Sequence, residues 1–129
     1  MPFAPLGRGF LTGFAKRSEE YPPADWRYSD PRFQGENFDR NTKAAAALRQ
    51  LATEKHATPA QVAIAWLLHK GEDIAPIPGT KRRSYLEENL GAAALSLSDA
   101  DMHRLDAALP PETVAGSRYN ERLMAFIDR

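Results

Sequence analysis

The stretch Ile77-Pro78-Gly79-Thr80-Lys81-Arg82-Arg83-Ser84-Tyr85-Leu86-Glu87-Glu88-Asn89 decides how this chain is read. It sets a proline-glycine turn, three consecutive cations, a carboxylate pair and an amide in that order. The preceding Asp73-Ile-Ala-Pro-Ile-Pro78 is a short apolar segment and reads as a strand ending at a proline. A loop that leaves the C-terminal end of a parallel strand and enters a helix is where α/β folds bind ligands. Gly79 removes side-chain bulk, so that backbone N–H groups can approach a phosphate. The helix start adds roughly half a positive charge and free N–H donors. Lys81, Arg82 and Arg83 bring formal charge to the same place, and guanidinium groups can grip phosphate through two hydrogen bonds. Glu88 and Asn89 follow one to two turns in, where an acceptor and an amide could meet an adenine edge. A nucleotide with an extra phosphate suits that order of groups. The spacing alone selects no single nucleotide, and short basic runs also occur as plain solvated surface.

Working outward, the clearest helix start lies upstream. Thr58 is a candidate N-cap, Pro59 takes the first helical position and Gln61 completes a capping box. The body that follows is apolar on most faces, which predicts a helix buried on most sides, with Gly71 as its stop. Asn37 to His56 also reads as helix, with Leu48, Leu51 and Ala52 on one face. Beyond the basic loop, a helix is expected from Arg83 or Ser84 to Ala92 or Ala94. Another starts at a Ser98 cap, carries Met102, Leu105 and Leu109 on one face, and ends at Pro110-Pro111. The last segment opens as loop and closes with a short amphipathic helix. At the other end, residues 1–13 read as the end of a strand running into a glycine-rich loop. Residues 14–35 form a long loop whose Tyr21, Trp26, Tyr28 and Phe33 predict that it packs on something. Strands alternating with helices imply parallel pairing and an α/β class. Two strands, however, cannot build a parallel sheet covered on both faces.

The 129 residues are 43% hydrophobic and 26% charged, with Lys+Arg equal to Asp+Glu, which is globular composition for one domain. A net charge of zero argues against general nucleic-acid binding or a polybasic membrane surface. There is no cysteine, hence no disulfide framework or thiolate metal site. The apolar run Val62–Leu68 is too short to span a bilayer, and MPFAPLGRGF lacks the regions of a signal peptide. These features are those of a soluble, cytoplasmic protein.

IPGTKRRSYLEENLGA resembles the C-terminal signature of the aldo-keto reductases, NADPH-dependent (β/α)8-barrel enzymes that reduce aldehydes and ketones. APLGRGFLTG resembles the family's loop after the seventh strand, and DPRFQGENF with TPAQVAIAWLLHKG resembles the segment between. The resemblance runs through essentially the whole chain, in order. It implies that Ala4, Pro5, Leu6, Gly7 and Arg8 lie along the cofactor's pyrophosphate. Gly79, Thr80, Lys81 and one of Arg82 or Arg83 would surround the 2′-phosphate, favouring NADPH over NADH, while Tyr85, Glu88 and Asn89 border the adenosine. Gly116-Ser-Arg-Tyr119 would fall where the family's C-terminal loop borders the pocket for a small carbonyl substrate. Phe14 departs from many relatives, which carry Lys or Arg just after LTG; Lys16 is the nearest substitute.

On this resemblance, residues 1–129 form the C-terminal part of a barrel domain: an incomplete (β/α)8 TIM-barrel fragment, mostly helical, with two short parallel strands. The family's proton-donating tyrosine, its lysine, aspartate and histidine would all precede Met1. Tyr21, Tyr28, Tyr85 and Tyr119 lack the matching context, and His56, His69 and His103 read as helix-surface residues. A whole barrel takes about 250 residues. The piece is therefore expected to be inactive alone, keeping the NADPH-anchoring half of the site, and to self-associate through exposed strand edges. The competing readings are a non-catalytic nucleotide-binding or interaction module, and a reading frame whose start is misplaced.

Overall fold

Three of the helices among the described residues begin where a side chain closes the first turn. In the computed structural model, which describes residues 1–127, the helices are α1 (Gly35–Ala44), α2 (Ala46–Glu54), α3 (Pro59–Leu68), α4 (Arg83–Leu90), α5 (Asp99–Ala108) and α6 (Glu121–Met124). The Thr58 hydroxyl accepts the Gln61 N–H at 3.2 Å while the Gln61 side chain accepts the Thr58 N–H at 3.0 Å, the expected capping box of α3. Ser98 and Asp101 repeat that reciprocal pair at the start of α5. Asn120 caps α6 through the Leu123 N–H at 3.1 Å.

Two boundaries differ from the sequence reading. The single helix expected from Asn37 to His56 is broken at Ala45, whose ψ of −8° turns the chain. The break lies in the alanine run Ala44–Ala47, so helix propensity did not cause it. It lets α1 and α2 face different partners. Arg49 bridges the junction, donating to the Thr42 carbonyl at 3.1 Å. At the end of α2, His56 takes a positive φ of 52°, a place glycine usually fills, and the Ala57 N–H closes back on the Ala52 carbonyl at 2.9 Å. Likewise α4 stops at Leu90, and Gly91–Ala94 tightens into a 3-10 turn.

Among the described residues neither of the two expected strands forms. What remains of their pairing is one parallel bridge, Phe3 to Ile77, with the Ile77 N–H donating to the Pro2 carbonyl at 3.1 Å. Proline explains the shortness. In Pro76-Ile77-Pro78 only Ile77 has an N–H to give.

The main core joins Leu48, Leu51 and Ala52 of α2 to Val62, Ala63 and Ala65 of α3, closed by Leu97 and Leu105. Trp66 lies at its edge, where its indole N–H donates to Asp106 at 2.8 Å. A second cluster holds the long loop. Phe10, Tyr21 and Phe33 are buried together, with the Phe10 and Phe33 rings 4.7 Å apart. The loop does pack, and it does so as three 3-10 turns: Ser18–Glu20, Trp26–Ser29 and Pro31–Phe33. Asp25 and Asp30 cap the latter two by accepting the Arg27 and Arg32 N–H groups. Among the described residues no helix is long and apolar enough to cross a membrane.

Candidate functional site

Because the Phe3–Ile77 bridge is parallel, the chain leaves both of its sides toward the same end. One side continues into the glycine-rich loop, the other into Gly79 and the basic run. The two halves of the sequence-predicted site therefore start next to each other.

The basic half is open. A Cβ at Gly79 would meet nothing within 4 Å, so its main chain is accessible. Lys81, Arg82 and Arg83 are all exposed, and Arg82 at the cap position of α4 makes no side-chain cap bond. Arg83 reaches along its own helix to Glu87 at 2.8 Å, and Arg82 lies over the exposed Tyr85 ring at 5.6 Å. Below this surface the helix is anchored. The buried Asn89 amide donates to the Thr80 hydroxyl at 3.1 Å, and Thr80 donates to the Pro78 carbonyl at 3.3 Å. Gln61 of α3 donates to the Glu88 carbonyl at 3.1 Å. Thr80 and Asn89, placed by the sequence at a ligand, hold the loop to its helix.

The glycine-rich half is a tight, left-handed turn. Ala4, Gly7, Arg8 and Gly9 have positive φ of 49°, 57°, 59° and 102°. Pro5 is buried, Leu6 is half-buried against the main core, and the Gly7 N–H returns to the Ala4 carbonyl at 3.0 Å. The Arg8 guanidinium turns inward. It donates to Asp30 at 2.5 Å and to the Arg118 carbonyl at 2.6 Å, and lies over the rings of Trp26 at 5.2 Å and Tyr119 at 4.6 Å. Phe14 is 76% exposed, and the Lys16 N–H donates to the Tyr21 hydroxyl at 2.9 Å.

The segment around Gly116–Tyr119 is seated on the long loop and α1. Asn41 both donates to the Ala115 carbonyl at 2.9 Å and accepts its N–H at 2.8 Å. At Gly116, with φ 86°, a Cβ would lie 2.9 Å from the Pro31 carbonyl, so only glycine fits. Burial, and next the charge of Arg8, pushes the Arg32 pKa down, with Asp30 opposing. Asp30, Arg32 and Asn41 escaped the sequence reading, and Trp26 was read there only as a packing aromatic. The Asp30-Pro31 dipeptide signalled a turn, but nothing local tied it to Arg8. A cavity of about 300 Å³ lies apart from the basic loop, lined by apolar residues such as Phe3, Phe10, Leu48 and Trp66, with Arg32 and Asn41 as polar members.

The histidines do not gather at either loop. His69 bonds the Ala65 carbonyl through Nδ1 at 2.8 Å and accepts the Leu97 N–H at Nε2, which ties α3 to the approach of α5. His103 contacts the Asp99 carbonyl of its own helix at 2.8 Å.

The family model of the aldo/keto reductase family matches residues 1–110. The chain belongs to that family. Aldo-keto reductase yakc, NADP(+), of Schizosaccharomyces pombe is 48% identical over 117 residues, covering 91% of this chain and 34% of the relative. Aldo-keto reductase str7 of Strobilurus tenacellus is 37% identical over 125 residues, covering 97% of this chain and 37% of the relative. This aldo/keto reductase chain thus spans about a third of the length of the curated relatives it matches. Membership makes it part of an oxidoreductase family, which favours that class over a free-standing non-catalytic module.

Proposed function

We propose that the chain is the dinucleotide-holding C-terminal part of an aldo/keto reductase barrel, corresponding to its seventh and eighth βα units and tail. The observation that carries this reading is the parallel bridge, which starts the glycine-rich loop and the basic loop at one end of the fold. Main chain of Ala4, Pro5, Leu6, Gly7 and Arg8 would line the pyrophosphate. Gly79, Thr80, Lys81, Arg82 and Arg83 would surround a 2′-phosphate, and Tyr85, Glu88 and Asn89 would border the adenosine. The fit is supported by open space at Gly79, by three exposed cations and by an uncapped α4 N-terminus, together an anion site with the charge to prefer NADPH over NADH. The name of the yeast relative, which carries NADP(+), points the same way.

When bound, NADPH supplies hydride to an aldehyde or ketone carbon. The residues of this chain hold and orient the adenylate end of that cofactor. On this reading none of its four tyrosines is the family's proton donor. Tyr21 and Tyr119 are stacked under Arg27 and Arg8 at 4.0 and 4.6 Å, and Tyr28 and Tyr85 lie on the outer surface. The 129-residue chain alone should therefore show no NADPH-dependent aldehyde reduction.

The decisive experiment is a fluorescence titration of the chain and of the triple variant Lys81→Ala, Arg82→Ala, Arg83→Ala with NADPH and NADH. Losing two or three charge-assisted phosphate contacts should weaken NADPH binding by about 100-fold while NADH changes less than about threefold. Equal losses for both dinucleotides would overturn the 2′-phosphate role.

A further inference from the structure

We propose that Arg8 is a positioning residue, a latch that seats the 117–120 segment against the glycine-rich loop. The proposal concerns the guanidinium and does not rest on the dinucleotide reading. Gly7, Arg8 and Gly9 hold three successive positive φ angles of 57°, 59° and 102°. An arginine rarely adopts that conformation, and it persists only where its surroundings hold it there. The surroundings here come from two stretches far from Arg8 in sequence, 26–30 and 118–119. Asp30 gives the carboxylate at 2.5 Å, Arg118 gives its carbonyl at 2.6 Å, and Trp26 and Tyr119 give the two ring faces. The side chains of Arg8 and Asp30 are only 9% and 2% exposed. Both hydrogen bonds leave one nitrogen, Nη1, while the guanidinium carbon lies over both rings; the shorter lysine side chain ends one bond short of Nη1 and offers no flat face to stack.

The segment has a second, independent anchor. Asn41 fixes Ala115 through both of its backbone groups, and Gly116 packs close against Pro31. Asn41 thus holds the 115–116 end and Arg8 the 118–119 end. Residues past 110 lie outside the stretch matched to the family, yet Arg8, Asp30 and Asn41, which build their seat, lie inside it. The latch makes the glycine-rich loop and the C-terminal segment a single unit, so that a ligand reshaping one displaces the other.

The Arg118–Tyr119 peptide bond offers a direct readout, because its carbonyl is the one Arg8 grips and trypsin cleaves after arginine. Timed trypsin digestion with mass spectrometry should be run on the purified chain, on Arg8→Gly and on Arg8→Lys. Glycine keeps the left-handed turn without the latch, while lysine keeps the charge but loses the reach of Nη1 and the flat stacking face. Cleavage at Arg118 should rise about tenfold in Arg8→Gly and at least about fivefold in Arg8→Lys, with cleavage after Lys70 beside α3 unchanged. An unchanged rate at Arg118 in both variants overturns the latch. So does a matching rise at Lys70, which would make Arg8 a general support of the fold.

Discussion

The Gly79–Arg83 loop and the Gly7–Gly9 loop leave the same end of one parallel bridge, yet their cations meet different fates. Around Gly79 the charges stay in solvent, loosely braced by Glu87 and Tyr85. In the other loop the single arginine is drawn inside, paired, hydrogen-bonded and stacked. Exposed cations cost little to keep and remain free to meet an anion. A buried cation needs its partner, because an uncompensated charge in the interior is strongly unfavourable. Formal charge near a glycine-rich turn therefore does not by itself say whether it serves a ligand or the fold.

The sharpest way to break this contrast is to remove the buried partner. Asp30→Ala strands the Arg8 guanidinium and uncaps the Pro31–Phe33 turn, and should destabilise the chain by about 3–5 kcal/mol in denaturant unfolding. A loss below about 1 kcal/mol would mean that Arg8 is no more committed than the exposed cations.

A smaller effect tests the surface pair next to that turn. Arg27 hydrogen-bonds the Asp25 carboxylate and lowers its pKa from 3.8 to about 2. The folded value lies below the unfolded one, so the stabilisation is complete above the unfolded pKa and disappears as pH falls through the folded one. The stability gap between the natural chain and Arg27→Ala should thus be constant above about pH 5 and narrow between about pH 4 and pH 2. What survives at the acid end is the stacking of Arg27 on Tyr21. A gap that ignores pH would show that the carboxylate is not engaged.

The smallest expected effect is on stability in the open loop. Lys81→Ala should shift the unfolding free energy by no more than about 0.5 kcal/mol, measured in the same denaturant series. A larger loss would show that the basic loop, too, is built into the fold.

Where the reading from sequence succeeded, the deciding contacts were short in sequence. Thr58 with Gln61 and Ser98 with Asp101 close helices across three residues, so both starts could be located without coordinates. The packed aromatic loop was legible as well, since Tyr21 and Phe33 had nowhere polar to go. Failures came where local preference met distant demand. The alanines around Ala45 favour an uninterrupted helix, yet α1 must offer Asn41 to Ala115 while α2 offers Leu48 and Leu51 to the core. The Asn89–Thr80 hydrogen bond, which spans nine positions, was likewise invisible in the sequence and adds a structural tie to two residues read there as ligand-facing.

By itself the sequence determined the family, the capped helix starts and the place of the basic loop, because each depends on residue types at fixed short spacings. Only the tertiary structure decided that the two strands shrink to the Phe3–Ile77 bridge and that Arg8 turns inward. It alone brought Arg118 to Arg8 across 110 positions and Ala115 to Asn41 across 74. Such contacts carry no local signature, since the energy that selects them is released only once the intervening chain has packed.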